Sequence, residues 1–260
     1  MPALFVGHGS PMNAIEDNEF SRGWREIAQR IPKPTAVLCI SAHWETSGVY
    51  VTASPTPETI HDFYGFPQPL FDVRYPAPGD PALAGRIAAL ITRPRVQMDQ
   101  GRGLDHGSWS VLRMMYPQAD VPVIQLSLDT SQPPDFHYEL GKQLSPLRDE
   151  GVLILGRGDI VHNLGVMDWH RADGFDWAAR FNEIAKQKIL ARDHAALCDY
   201  RALDPQSALA VPTPEHYLPL LYALAVQGES EPAVFFNDRV IMGSISMTSV
   251  LVGGGALNQT

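Results

Sequence analysis

Three short apolar runs, Ala3–Val6, Ala36–Ile40 and Val152–Leu155, each break off at a small or polar segment with a histidine close behind. Continuous apolar runs of this length, bounded by turn residues, are the pattern of strands buried on both faces. Val49–Ala53 and Val121–Leu128 read as further strands, and Val234–Phe236 and Ser244–Val250 as closing ones. Between them lie segments with helical spacing: Asn18–Arg30, Pro81–Ile91, Ser108–Tyr116, Phe136–Arg148 and Trp177–Ala191. A last helix is expected to open at Thr213 and Pro214 and run to Val226, with Thr213 its cap and Asn18 the cap of the first helix. The alternation predicts an α/β fold, one domain over residues 1–260, with a mainly parallel central sheet flanked by helices. The stretch 54–80 is rich in proline and aromatics and has no period, which marks it as a long loop of functional kind.

Charge and composition exclude several classes. The 260 residues carry 20 Lys+Arg against 29 Asp+Glu, a net charge of −9, with no basic run to bind nucleic acid. The longest apolar run, around Leu218–Val226, falls far short of the ~20 residues that span a bilayer. No cationic region precedes the short apolar stretch after Met1, so no signal peptide is expected. Cys39 and Cys198 stand far apart in apolar surroundings, which fits free thiols and a cytoplasmic location.

The nine histidines carry most of the information. His8 and His43 each stand just past the predicted carboxyl end of an apolar strand, where open α/β sheets bind ligands. Two imidazoles delivered there by separate strands suit a shared Fe, Zn, Cu or Ni ion. His162 follows a third strand end by a few residues, and His216 sits in the first turn expected of the last helix. Singly, each also reads as a hydrogen-bonded loop residue; together they point to a metal or catalytic cluster. His137, His170 and His194 lie among charged residues and are expected to be solvated. His61 and His106 sit in loops that can line a pocket. Trp44, Tyr64, Phe66 and Trp109 read either as an aromatic wall or as core packing. Ser10 lacks the Gly-x-Ser-x-Gly setting of a nucleophile elbow. Gly156-Arg157-Gly158 lacks the context of a dinucleotide fingerprint.

Seven segments in order along the chain carry a resemblance. They are Gly-His-Gly-Ser-Pro-Met (7–12), Ser-Ala-His-Trp (41–44), His-Asp-Phe-Tyr-Gly-Phe-Pro (61–67), Tyr-Pro-Ala-Pro-Gly (75–79), Asp-His-Gly-Ser-Trp (105–109), Val-His-Asn-Leu (161–164) and Pro-Thr-Pro-Glu-His-Tyr-Leu-Pro-Leu (212–220). Jointly they resemble the class III, LigB-type extradiol ring-cleavage dioxygenases, in the 4,5-DOPA extradiol dioxygenase-like branch. The resemblance implies a mononuclear non-haem Fe(II) site, with Zn(II) also recorded in bacterial members, and a catechol and O2 as substrates. It implies His8 and His43 as metal ligands and His162 as the acid/base histidine. The third ligand falls on Glu215 or His216; helix neighbours point about 100° apart, so one of them binds, and His216 is favoured. His106 is expected to hydrogen-bond bound oxygen or substrate, and His61, Trp44, Tyr64 and Arg157 to contact substrate. Where the family pattern has Gly-Ser-Gly-Asn, this chain has Gly156-Arg157-Gly158-Asp159. Arg157 then pairs either with a substrate carboxylate or locally with Asp159.

Ring opening next to the two hydroxyls, with both oxygen atoms of O2 entering a hydroxymuconate semialdehyde, is the activity implied. Two other readings use the same residues: a zinc hydrolase with Glu215 as base, and a binding protein without catalysis. No nucleic acid or membrane partner is expected.

Overall fold

A computed structural model describes residues 1–254. Strands β1 (Ala3–Gly7), β2 (Ala36–Glu45), β5 (Val123–Leu128) and β6 (Val152–Gly158) form its centre, all parallel. With β3 (Val49–Thr52), β4 (Val96–Asp99), β7 (Ala233–Phe236) and β10 (Ser249–Val252) they make an eight-stranded sheet in the order β4-β3-β5-β2-β6-β1-β10-β7. The outer strands meet this parallel centre antiparallel, through β3 on β5 and β10 on β1. A two-stranded ribbon, β8 (Val240–Ile241) with β9 (Ile245–Ser246), lies apart.

The period-2 geometry of a strand explains the unbroken apolar runs. Ala3 and Phe5 face one core and Leu4 and Val6 the other; Leu38 and Ile40 oppose Val37 and Cys39 in the same way. One face is covered by the helices Pro81–Leu90, Pro134–Lys142, Asp176–Leu190 and Leu218–Ala225, through residues such as Ile87, Leu140, Phe181 and Leu221. Glu19–Arg30 and His106–Met115 cover the other, through Trp24 and Trp109. Asn18 caps the first helix in a reciprocal capping box with Ser21.

Several boundaries differ from expectation for identifiable reasons. β2 does not stop at Ile40: its register shifts between Ile40 and Glu45, so His43 lies within the strand. Pro146 and the turn before it split the expected 136–148 helix in two, leaving Pro146–Asp149 as a separate turn of helix. The last helix starts only at Leu218, and residues 212–217 form turns, so Thr213 is not its cap and His216 precedes it. The edge strand β4 carried no apolar signal because half its residues face solvent. Cys39 is buried and Cys198 half-buried, and both are free. No described helix is long and apolar enough to cross a membrane.

Arg157 corrects a sequence expectation most clearly. It is fully buried on β6 and does not line the cavity described below. One amine of its guanidinium donates to Asp105 Oδ1 at 2.9 Å and to Ser41 Oγ at 3.1 Å, while Nε and Nη1 have no partner among the described residues. Its charge partner is therefore Asp105, 52 residues away, and not Asp159. Asp105 is also the N-cap of the 106–115 helix, accepting from the Ser108 amide. Gly107 makes the room: a Cβ there would stand 2.0 Å from Arg157 Nη1. Arg157→Leu removes the nearer of the two cations beside Asp105 and leaves Arg102 at 3.7 Å, and the loss of a buried charged hydrogen-bond partner of this kind costs about 1–3 kcal/mol. Urea unfolding of the variant measures it; a loss under about 1 kcal/mol contradicts a structural role for this pair.

Candidate metal centre

The carboxyl ends of β1 and β6, the outer part of β2 and the 212–217 turn converge on one point. His8 follows β1 directly; its amide donates to the Gly158 carbonyl at 3.2 Å, and Asn13 holds its carbonyl at 3.1 Å. The His43 amide donates to Ser41 Oγ at 3.1 Å, and Arg102 grips its carbonyl at 3.1 Å. The 212–217 turn closes on β6 because the Asp159 amide donates to the His216 carbonyl at 2.9 Å. Only glycine at 158 permits that approach, since a Cβ would lie 1.9 Å from the same carbonyl oxygen.

Nε2 of His8 and Nε2 of His43 face each other at 3.0 Å. With His216 they offer three ring nitrogens that all lie within 4.8 Å of one another. Two further groups share members with the first: Asp159, His162 and His216, and His43, Asp62 and His106. Among the described residues these three groups gather every metal-ligand cluster at one place.

Glu215 and His216 divide the work at the third position. Glu215 Oε1 accepts from the Thr213 hydroxyl at 2.9 Å and lies 3.0 Å from His216 Nδ1. That contact fixes the ring and leaves Nε2 as its free lone pair, the usual relation between a ligating imidazole and its carboxylate. Burial works to raise the Glu215 carboxyl, but the His216 ring beside it lowers it to about 2. Glu215 was expected only as an alternative ligand or a base; no metal-ligand cluster among the described residues includes it.

The imidazoles are held neutral. Burial and mutual repulsion depress His8 and His43 well below their ordinary value, and burial lowers His216 as well. Burial, then His216, brings His162 to about 2; its ring stacks on that of His216 with centroids 3.5 Å apart. Asp159 Oδ2 stands 3.9 Å from His8 Nδ1, and burial pushes the Asp159 carboxyl up while it pushes His8 down. At that separation the two atoms are not hydrogen-bonded to each other.

A cavity of about 560 Å³ opens over these rings. His8, His43, His106, His162, Glu215 and His216 form its floor and sides. Of the expected substrate contacts, Tyr64 lines it at the mouth, 90% exposed. Three do not line it. Trp44 is buried against Tyr50 and under the Arg102 guanidinium. His61 packs between Phe63, Phe71 and Trp109, with Nε2 3.0 Å from the Val73 carbonyl. Arg157 lies behind His43, as described above. Of the remaining aromatics, Phe66 lines the cavity while Trp109 is core.

Sequence reasoning missed Asp62, whose Oδ1 accepts from the His106 amide at 2.8 Å and lies 3.0 Å from His106 Nδ1. Burial works to raise its carboxyl, but the His106 ring and amide hold it below the usual range. Its place between His61 and Phe63 in a shared segment was the available signal. Met167, Trp169, Met242 and Ile245 were missed as well, for they are ordinary apolar residues whose role comes only from position.

Two of the three histidines expected to be solvated are buried. His137 bridges Tyr222 Oη at 2.9 Å and the Asp129 carbonyl at 3.2 Å, and His194 lies between Tyr138 and Gln227. His170 is exposed, as expected. Burial brings His137 down to about 4. A histidine whose folded value lies below its unfolded value of about 6.5 stabilises the fold fully above that pH and loses the contribution as the pH falls toward the folded value. For His137 alone the window between 6.5 and about 4 is worth on the order of 3 kcal/mol. Asp159, with its raised carboxyl, acts with the opposite sign, but the lowered histidines outnumber it. Metal-free protein is therefore expected to lose stability steeply from pH 7 to pH 5 in denaturant titrations. A flat profile contradicts the neutral cluster.

Residues 2–252 match the family model described as the catalytic LigB subunit of aromatic ring-opening dioxygenase. The chain is 48% identical over 259 residues to the 4,5-DOPA dioxygenase extradiol of Escherichia coli (strain K12), covering 97% of this chain and 95% of the relative. It is 41% identical over 254 residues to the protein of the same name from Beta vulgaris, covering 95% and 94%. The crystal structure of an uncharacterized protein from Escherichia coli K12 superposes with a TM-score of 0.86 at 43% identity, over 97% of this chain and all of the other.

Proposed function

The chain belongs to the LigB family of aromatic ring-opening dioxygenases, and on that footing we propose that it cleaves a catechol ring beside its two hydroxyls, with DOPA, opened at its 4,5 bond, as one such substrate. One catechol and one O2 give one hydroxymuconate semialdehyde, both oxygen atoms being retained. The observation that carries the reading is the trio His8, His43 and His216.

The donor set suits a divalent transition metal. Two imidazole nitrogens 3.0 Å apart match two ligands each ~2.1 Å from one ion at close to a right angle. The third imidazole, oriented by Glu215, would complete a three-nitrogen donor set able to hold a divalent transition metal. We assign Fe(II) to it, with Zn(II) as a form that binds but does not oxygenate. Bound Fe(II) supplies Lewis acidity toward both catechol oxygens and the single-electron chemistry that O2 needs to react with a closed-shell ring.

The protein's own groups do the rest. The cavity holds the catechol edge toward the three ligands, an orientation effect. His162 lines the cavity beside His216 without belonging to the facing trio, and we give it the role of taking a phenolic proton and returning it to the product side. Asp62 orients His106, whose ring faces the same space 4.2 Å from that of His43, and we give it the role of hydrogen-bonding substrate or oxygen.

Iron loading without air, then a catechol and ¹⁸O₂, is expected to give a yellow product carrying both labelled atoms. Zinc-loaded protein is expected to leave the O2 concentration unchanged. No uptake across a broad catechol panel would favour the hydrolase reading, in which Glu215 acts as base.

A further inference from the structure

Beyond the metal proposed above, the side-chain charges around the cavity are one-sided. Its lining includes two carboxylates, Asp62 and Glu215, and no lysine or arginine. The nearby cations are engaged elsewhere. Arg157 is bound to Asp105 and Ser41 behind His43. Arg102 donates to the His43 carbonyl and lies over Trp44. Arg74 donates to the carbonyls of Phe71 and Val73. Residues 255–260 contain no lysine or arginine.

Each carboxylate also keeps one oxygen open. Asp62 uses Oδ1 for His106 and Glu215 uses Oε1 for Thr213 and His216. Among the described residues no donor reaches Asp62 Oδ2 or Glu215 Oε2. The mouth adds faces that attract cations: Tyr64 and Trp169 are 90% and 62% exposed there, beside Leu164 at 61%. A carboxylate entering this space loses water and meets two like charges, whereas an ammonium meets two carboxylates and two π faces.

We infer that the ring substituent selected by this site is an ammonium-bearing one and that a carboxylate on the substrate is a handicap. This rests on the catechol reading above. Arg157, which the sequence offered as a carboxylate partner, is thereby assigned to the fold instead. An amino-acid side chain, carrying both charges, is expected to bind less tightly than the same catechol without its carboxylate.

The test is equilibrium binding of three probes to the iron-loaded protein without air: 4-(2-aminoethyl)catechol, 4-ethylcatechol and 3,4-dihydroxyphenylacetate. The expected order of affinity is ammonium, neutral, carboxylate, with about tenfold or more between the first and last. Normalised to 4-ethylcatechol, the preference is expected to shrink in Asp62→Asn and to weaken as salt is raised. Equal affinities, a carboxylate that binds best, or a preference untouched by both Asp62→Asn and salt would overturn the inference while leaving the catechol reading intact. If none of the three binds better than to metal-free protein, the catechol reading itself fails and takes the inference with it.

Discussion

His8→Ala and His43→Ala are each expected to leave a folded protein that no longer retains metal. The two rings meet through Nε2 atoms 3.0 Å apart, so removing either leaves two donors where three converged. Structural zinc sites with four ligands bind with about 10–16 kcal/mol, which puts the share of one ligand at ~2.5–4 kcal/mol, or roughly 10²–10³-fold in affinity. The measurement is metal content after dialysis against a weak chelator, with far-UV circular dichroism to establish folding. Full occupancy in either variant removes that residue from the ligand set. The same assay separates the neighbours at the third position: His216→Ala is expected to behave like His8→Ala, whereas Glu215→Gln, which only loosens the ring, is expected to lose about 10–100-fold. The reverse ranking would make Glu215 the ligand.

His162→Ala is expected to keep its metal and lose turnover. Its ring stacks on His216 at 3.5 Å without belonging to the trio of facing ligands, and it lines the cavity. General acid–base groups contribute about 10²–10⁴-fold, so kcat is expected to fall by that factor with the affinity for catechol little changed. The loss should be partly repaired by raising the pH, because a catechol that ionises in solution no longer needs the base. Unchanged turnover would assign proton transfer to another group, His106 being the next in reach. Loss of metal together with turnover would place His162 among the ligands, alongside Asp159 and His216.

How far the sequence foretold this site depends on the kind of signal each residue leaves. The strand ends were legible because buried strands are continuous apolar runs that stop sharply, and those ends deliver His8 and His162. The strand β2 ran further than its apolar signal, since a register shift carries polar Ser41 and His43 within the ladder. Sheet order was not legible: β10, the last described strand, inserts beside β1, a pairing set by long-range packing. Buried polar residues misled in both directions. His137 and His194 look solvated by their charged neighbours in sequence, yet Tyr222 and Gln227, far along the chain, bury and satisfy them. Arg157 looks like a substrate contact until Asp105 and Gly107, on another element, supply its partner and its space. The 54–80 loop was recognisable as functional from its composition, but not that its Asp62 supports His106.

The central claim is that one iron, held by the imidazoles of His8, His43 and His216, is where the ring opens. Iron-free protein titrated anaerobically with Fe(II), with bound iron by elemental analysis and O2 uptake on adding a catechol measured on each sample, tests it most directly. Uptake is predicted to rise in proportion to bound iron, to saturate at one ion per chain, and to be absent from His8→Ala at every loading. Uptake that appears without bound iron, or that persists in that variant, would contradict the account.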